Sequence, residues 1–157
     1  MIAPMRYSGE RRDVQRAIDH WRQNTWGEGC VPLLDTFDFS PMRGEWGSRF
    51  LICGSYEVET AVFVTYGSGF AELLDLPAEP VTNIPFIRQI PKPCRTMFSE
   101  GYSKVILESS PVTLEGTFRF EANAELYRAA FMPIMLRPSW SKLLIFGSFN
   151  CRSLTAV

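Results

Sequence analysis

The sequence predicts an α+β domain in which helices cover one face of a five-stranded antiparallel sheet and a separate amphipathic helix precedes it. Three observations carry this expectation. Apolar residues recur at helical spacing near the N-terminus, as Val14, Ala17, Ile18 and Trp21. They recur again over Cys94, Met97, Phe98, Gly101, Tyr102, Val105 and Ile106. Finally, "VTLEGTFRFE" alternates strictly, with Val112, Leu114, Gly116, Phe118 and Phe120 facing one way and Thr113, Glu115, Thr117, Arg119 and Glu121 the other.

Taken in order, Ser8 can cap a first helix running from about Gly9 to Asn24, with Gly27 and Gly29 ending it. "VPLLDTFDFSPMRGEWG" is a connector punctuated by Pro32, Pro41, Gly44 and Gly47. "RFLICGS" (49–55) and "TAVFVTYG" (60–67) are β-rich runs separated by a length that suits a hairpin. "SGFAELLDLP" is a short helix or turn stopped by Pro77, and "AEPVTNIPFIRQIPKP" is a proline-broken stretch of loop and helical turns. Pro93 fits the first turn of the long helix, which "SSP" ends. "ELYRAAFMPIML" and "KLLIFGSFNCR" complete three consecutive strands. No crossover helix is available between residues 112 and 152, so neighbouring strands there must run antiparallel.

The chain has 157 residues, enough for one domain with a real core. Sixteen basic and seventeen acidic residues give a net charge of -1, and no basic run exceeds Arg11-Arg12, which argues against nonspecific nucleic-acid binding. No apolar run approaches the roughly 18 residues that span a bilayer. "MIAPMRYSGERR" lacks an apolar signal core, so a cytoplasmic location is expected. Cys30, Cys53, Cys94 and Cys151 form no CxxC pair and read as reduced, mostly buried thiols, not metal ligands.

Catalytic constellations are not evident. A Ser-His-Asp or Cys-His set would need His20, the sole histidine. At about 100° per residue it lies roughly 110° from the centre of the helix's apolar face, on the flank. Asp19 diverges from it, because adjacent helical residues do not face each other. "YGSGF" (66–70) lacks the G-x-S-x-G frame and the elements of a phosphate loop. Glu57 and Glu59 read as a solvated hairpin. The chain is therefore expected not to be an enzyme, and no cofactor is identifiable.

The element order, together with Trp21, Gly29, Pro32 and "DFSP" (38–41) ahead of the sheet and "YRAAFMPIML" then "LLIFGSF" at its end, resembles a PAS domain. The length and N-terminal segment are similar to the short stand-alone PAS proteins typical of alphaproteobacteria. The resemblance implies the sheet order 2-1-5-4-3, with residues 9–47 as N-terminal helix and connector and 48–152 as the PAS core of a single domain. "PKPCRTMF" superficially resembles the cysteine motif of flavin photoreceptors, but Pro93 stands where an asparagine is expected and no Leu-Gln pair follows. A haem site lacks its usual histidine.

A PAS-like fold also implies a non-catalytic sensory or signalling module, binding a small, mainly apolar molecule, a protein partner, or both. The alternatives are a ligand-free interaction adaptor, or a carrier or enzyme using the same pocket. Phe70, Phe86, Met97, Phe98 and Tyr102 from above, and Leu114, Gly116, Phe118, Tyr127, Ala129 and Phe131 from the sheet, are the expected pocket residues. Gly116, Ala129 and Gly147 are expected to leave room there, and a hydroxyl such as that of Tyr102 or Tyr127 to orient the ligand. The last strand is apolar on both faces, with Leu143, Ile145 and Phe149 on one and Leu144 and Phe146 on the other. Something must cover the outer face. Val14, Ile18 and Trp21 are the candidate interface, in the same chain or across a dimer.

Overall fold

The computed structural model describes residues 3–25, 27, 30–120, 122–137 and 139–154; for 3–11, 120, 137 and 139–141 only the backbone is described. The expected positions of Gly29 and Glu121 and of the Phe120 side chain lie outside these limits. The elements are α1 (Ala3–Gln23), β1 (Arg49–Gly54), β2 (Val62–Tyr66), α2 (Ser68–Leu74), α3 (Phe86–Gln89), α4 (Lys92–Glu108), β3 (Val112–Phe120), β4 (Asn123–Arg137) and β5 (Ser139–Ser153). Short 3-10 turns at Leu34–Thr36, Ser40–Met42 and Val58–Thr60 order the connector and the β1–β2 loop.

The sheet has the order β2-β1-β5-β4-β3, with every neighbouring pair antiparallel. This is the PAS-like α+β architecture expected from the sequence. Pro93 stands in the first turn of α4, and Ser109 ends that helix in the left-handed region at φ 54°. The long β4 and β5 pair from Glu125↔Ser153 to Arg137↔Ser139, so one hairpin spans the whole sheet.

Period two divides each strand between two cores. Phe50 and Ile52 of β1, Ala129 and Phe131 of β4, and Leu143, Ile145 and Phe149 of β5 face an inner cluster shared with α2, α3 and α4. Leu51, Ala130, Met132, Ile134, Leu144 and Phe146 face an outer cluster built with Val14, Ala17, Ile18 and Trp21 of α1 and with Phe37 and Met42 of the connector. The cover of the outer face therefore comes from the same chain.

The helix differs from expectation at its start. It begins at Ala3, so Ser8 lies within it and is no cap. Pro4 stands in its first turn, where a missing N–H costs no hydrogen bond.

Trp21 closes a specific gap. β3 begins opposite Phe131, so β4 has an uncovered edge beyond that point. Pro133 presents no N–H there, and its carbonyl accepts the Trp21 indole N–H at 2.8 Å. Met135 N–H, on the same side, donates to the Pro32 carbonyl at 2.9 Å, beside a parallel bridge between Leu33 and Met135. The edge is thus closed by a proline, an indole and the connector. His20 is held on the flank: its Nε2 bonds the Asp38 carbonyl at 2.6 Å, and its ring meets Phe37 edge-on at 5.2 Å.

Trp21→Ala is expected to lower the unfolding free energy by about 3–5 kcal/mol, the usual range for a buried tryptophan. His20→Ala is expected to cost about 1 kcal/mol, the scale of one net hydrogen bond. Urea denaturation of both variants checks this, and equal losses would contradict it.

Candidate functional site

All eleven residues expected around a pocket are brought to the inner face. Phe70, Phe86, Met97, Phe98, Tyr102, Ala129 and Phe131 are buried in the inner cluster, and Leu114, Phe118 and Tyr127 are half-buried against it. Gly116 stands opposite Tyr127 in the β3–β4 ladder. Phe50, which sequence reasoning left out, is at the centre: its ring lies 5.1 Å from Phe70, 5.8 Å from Phe98 and 5.6 Å from Phe131. Its even-numbered partnership with Ile52 in "RFLICG" was the signal that could have placed it. Phe98 continues the contact to Phe149 at 5.3 Å, and Phe86 meets Tyr102 at 5.9 Å. These tilted and edge-on pairs are the geometry that ring quadrupoles favour.

The room expected at the small residues is occupied. A Cβ at Gly147 would collide with the Phe50 ring and the Ala130 carbonyl, and one at Gly101 would enter the Phe131 ring. At Gly116 it would meet the Tyr127 ring and hydroxyl at 3.0–3.2 Å. The glycines therefore let aromatic rings lie against the backbone. Three surface depressions of about 500–580 Å³ are lined by none of the eleven residues. The one beside α2 runs past Trp46, Tyr66, Glu72 and Asp75; the one beside α4 runs past Val58, Ile87, Arg95 and Ser99.

Polar groups on this face are committed or neutral. The Tyr102 hydroxyl donates to the Ser55 carbonyl at 2.6 Å, and burial, with Cys53 adding to it, raises its pKa. Tyr127 stacks on Phe118 at 5.5 Å and is raised by burial and then by Glu100. Burial, with a further contribution from Glu125, pushes the Cys94 thiol up to about 12, so it stays protonated at neutral pH.

A second polar constellation, unforeseen from the sequence, fixes α1 to the sheet. The Asp13 carboxylate receives Arg49 Nη1 at 2.7 Å, Ser148 Oγ at 3.1 Å, Asn150 Nδ2 at 2.6 Å and the Ser48 hydroxyl. Arg49 and Ser148 are directly opposite each other in the β1–β5 ladder, which explains their convergence. Burial by itself would raise the Asp13 pKa. The bonds from Ser48 and Arg49, the Arg49 charge and the Asn150 bond outweigh it, so the pKa falls below its ordinary 3.8. Among the described residues no group of three or more His, Cys, Asp or Glu side chains could hold a metal ion, and no helix is long and apolar enough to cross a membrane.

Neither a protein-family model nor a curated protein sequence matches the chain. Solved structures similar to it include the Drosophila melanogaster Cycle PAS-B domain with bound ethylene glycol, at 13% identity and a TM-score of 0.45, covering 66% of this chain and 99% of that one. A PAS domain from Colwellia psychrerythraea is 11% identical with a TM-score of 0.48, covering 75% and 98%. A fungal LOV domain photoreceptor is 17% identical with a TM-score of 0.43, covering 66% and 75%. The PAS-like description of this fold rests on its own sheet order and connections.

A folded-state pKa below the unfolded one adds stability that is present above the unfolded value and is lost as pH falls through the folded one. Asp13→Ala is therefore expected to cost on the order of 2 kcal/mol at pH ~7, the scale of hydrogen bonds to a charged group. The difference from wild type should shrink as pH is lowered from about 4. Urea titrations across that range check this, and a gap that stays constant would contradict it.

Proposed function

We propose that this chain is a non-catalytic sensory or signalling module of the PAS kind, relaying changes between its aromatic inner face and the helix-covered outer face. One observation carries the reading: the same two strands touch both. Ala129 and Phe131 meet the inner rings while Ala130 and Met132 meet the α1 cluster. On β5, Ile145 and Phe149 alternate with Leu144 and Phe146 in the same way. A shift of inner rings therefore moves the seat of α1 through the strands themselves.

The ligand class that suits this face is a small, mainly apolar molecule seated among Phe70, Phe86, Met97, Phe98, Leu114, Phe118 and Phe131, with Tyr127 as the half-exposed polar contact. Entry requires the rings to move apart. The close ring packing favours a second reading, an interaction adaptor without a small ligand, whose output is the surface around α1. A non-catalytic role agrees with a histidine bound to a backbone carbonyl and a cysteine held as a neutral thiol. A cytoplasmic, bacterial origin belongs to this proposal, as does a signalling partner.

Mass spectrometry of the natively purified protein tests the sensory reading. A retained apolar molecule, absent from Gly116→Leu and from Ala129→Phe while both variants stay folded, is the expected result. Folded wild type without any bound molecule would remove the small-molecule half and leave the adaptor. Turnover abolished by His20→Ala would overturn the non-catalytic assignment.

A further inference from the structure

The segment from Pro77 to Pro85 straps the surface between α2 and α3 without burying a side chain: Pro80 and Pro85 are half-buried and its other residues are exposed. Side chains from elsewhere hold it. The Tyr66 hydroxyl donates to the Pro77 carbonyl at 2.6 Å, and the Gln89 amide nitrogen donates to the carbonyls of Val81 and Ile84 at 2.9 and 2.8 Å. Gln89 Oε1 is buried with no hydrogen-bond partner among the described residues. Closing the strap therefore gains two bonds but leaves one acceptor unpaired, and opening returns that acceptor to water. A segment with so little buried surface belongs to the part of a fold that opens first.

α3 follows the strap directly. Phe86 is fully buried, 5.4 Å from Phe63 and 5.9 Å from Tyr102. Its neighbour Ile87 instead lines the depression beside α4, with Val58, Arg95 and Ser99. α3 is thus a wall between that depression and the aromatic inner face. The C-terminal end of the wall is fixed to α4, because Arg95 donates to the carbonyls of Ile90 at 3.1 Å and Arg88 at 3.2 Å. At its other end the Phe86 N–H bonds the Ala61 carbonyl at 2.8 Å. Asp75, in the left-handed region at φ 54°, ends α2 and bounds the segment on that side.

We propose that the strap and α3 open as one unit about the end held by Arg95, with Gln89 as the latch, and that this opening admits an apolar molecule to the inner rings. The route rests on the reading of the inner face as a ligand site; the gate does not. Swinging the strap end outward withdraws Phe86 from beside Phe63 and Tyr102 and joins the depression to the space it leaves. Val58 and Ile87, which line the depression and pack against the inner cluster, give that passage an apolar floor. The sheet, α1 and α4 keep their places, as in other lids that turn on a few residues at the ends of an element.

Two measurements on the full chain test this: residue-resolved native-state hydrogen exchange, and stopped-flow uptake of N-phenyl-1-naphthylamine, a neutral probe that fluoresces on leaving water. The Phe86 amide is expected to exchange through an opening of lower free energy and weaker urea dependence than those of β4 and β5. Gln89→Ala is expected to raise both its exchange rate and the rate of probe uptake about tenfold. Gln89→Glu keeps the shape of the side chain but has no N–H to donate, and is expected to do the same. A Phe86 amide that opens only together with β4 and β5 would overturn the gate, as would exchange indifferent to both substitutions. Uptake at one rate by wild type and both variants would overturn the route and leave the ligand reading intact. Uptake by none of them would remove the ligand reading and the route together, with the gate decided by the exchange of Phe86.

Discussion

The central strands of this protein are apolar on both faces, and every other feature of the fold answers that constraint. An antiparallel sheet with one wet face alternates apolar and polar residues. β5 does not: its buried run from Leu143 to Phe149 has no exposed position. Two covers are therefore required. The inner one is built from α2, α3 and α4, the outer one from α1 and the connector. Leaving the outer face bare would expose Leu144, Phe146, Met132 and Ile134 together, an apolar patch that soluble domains rarely tolerate.

Burial alone would let α1 slide or rotate over this face, because apolar contacts are not directional. Two polar attachments fix its position. At the middle of the helix Asp13 gathers donors from β1 and β5, and two turns later, near its C-terminal end, Trp21 donates to β4. They tie the helix to three different strands. Each also meets a need of the sheet itself, since Ser148 is fully buried and Pro133 carries a carbonyl on an open edge. The segment around the lone histidine is thus a docking face, and His20 braces the connector beside it.

Much of this was legible in the sequence. The alternation of β3 and the two-faced pattern of β5 gave the correct side for Leu114, Phe118, Leu143, Leu144, Ile145 and Phe146, because period two admits only one division. The helical spacing of Val14, Ile18 and Trp21 identified the outer cover, though not whether it acted in its own chain. The start of α1 was misplaced because Ser8 has the chemistry of a cap, while the signal that mattered was Pro4 in the first turn. The Asp13 constellation was not legible, since its partners lie 35 to 137 residues away and meet only through strand register. Gly116 and Gly147 were read as vacant space, whereas in three dimensions the Tyr127 and Phe50 rings approach the backbone there.

The central claim is that α1 is an integral layer of the domain and not an appended segment. Native-state hydrogen exchange tests it most directly, because opening free energies report which elements unfold together. The amides of residues 14–21 are predicted to open with the same free energy as those of β4 and β5, independent of protein concentration. Exchange of those helix amides at the rate of the surface loops, while the strands remain protected, would contradict the account.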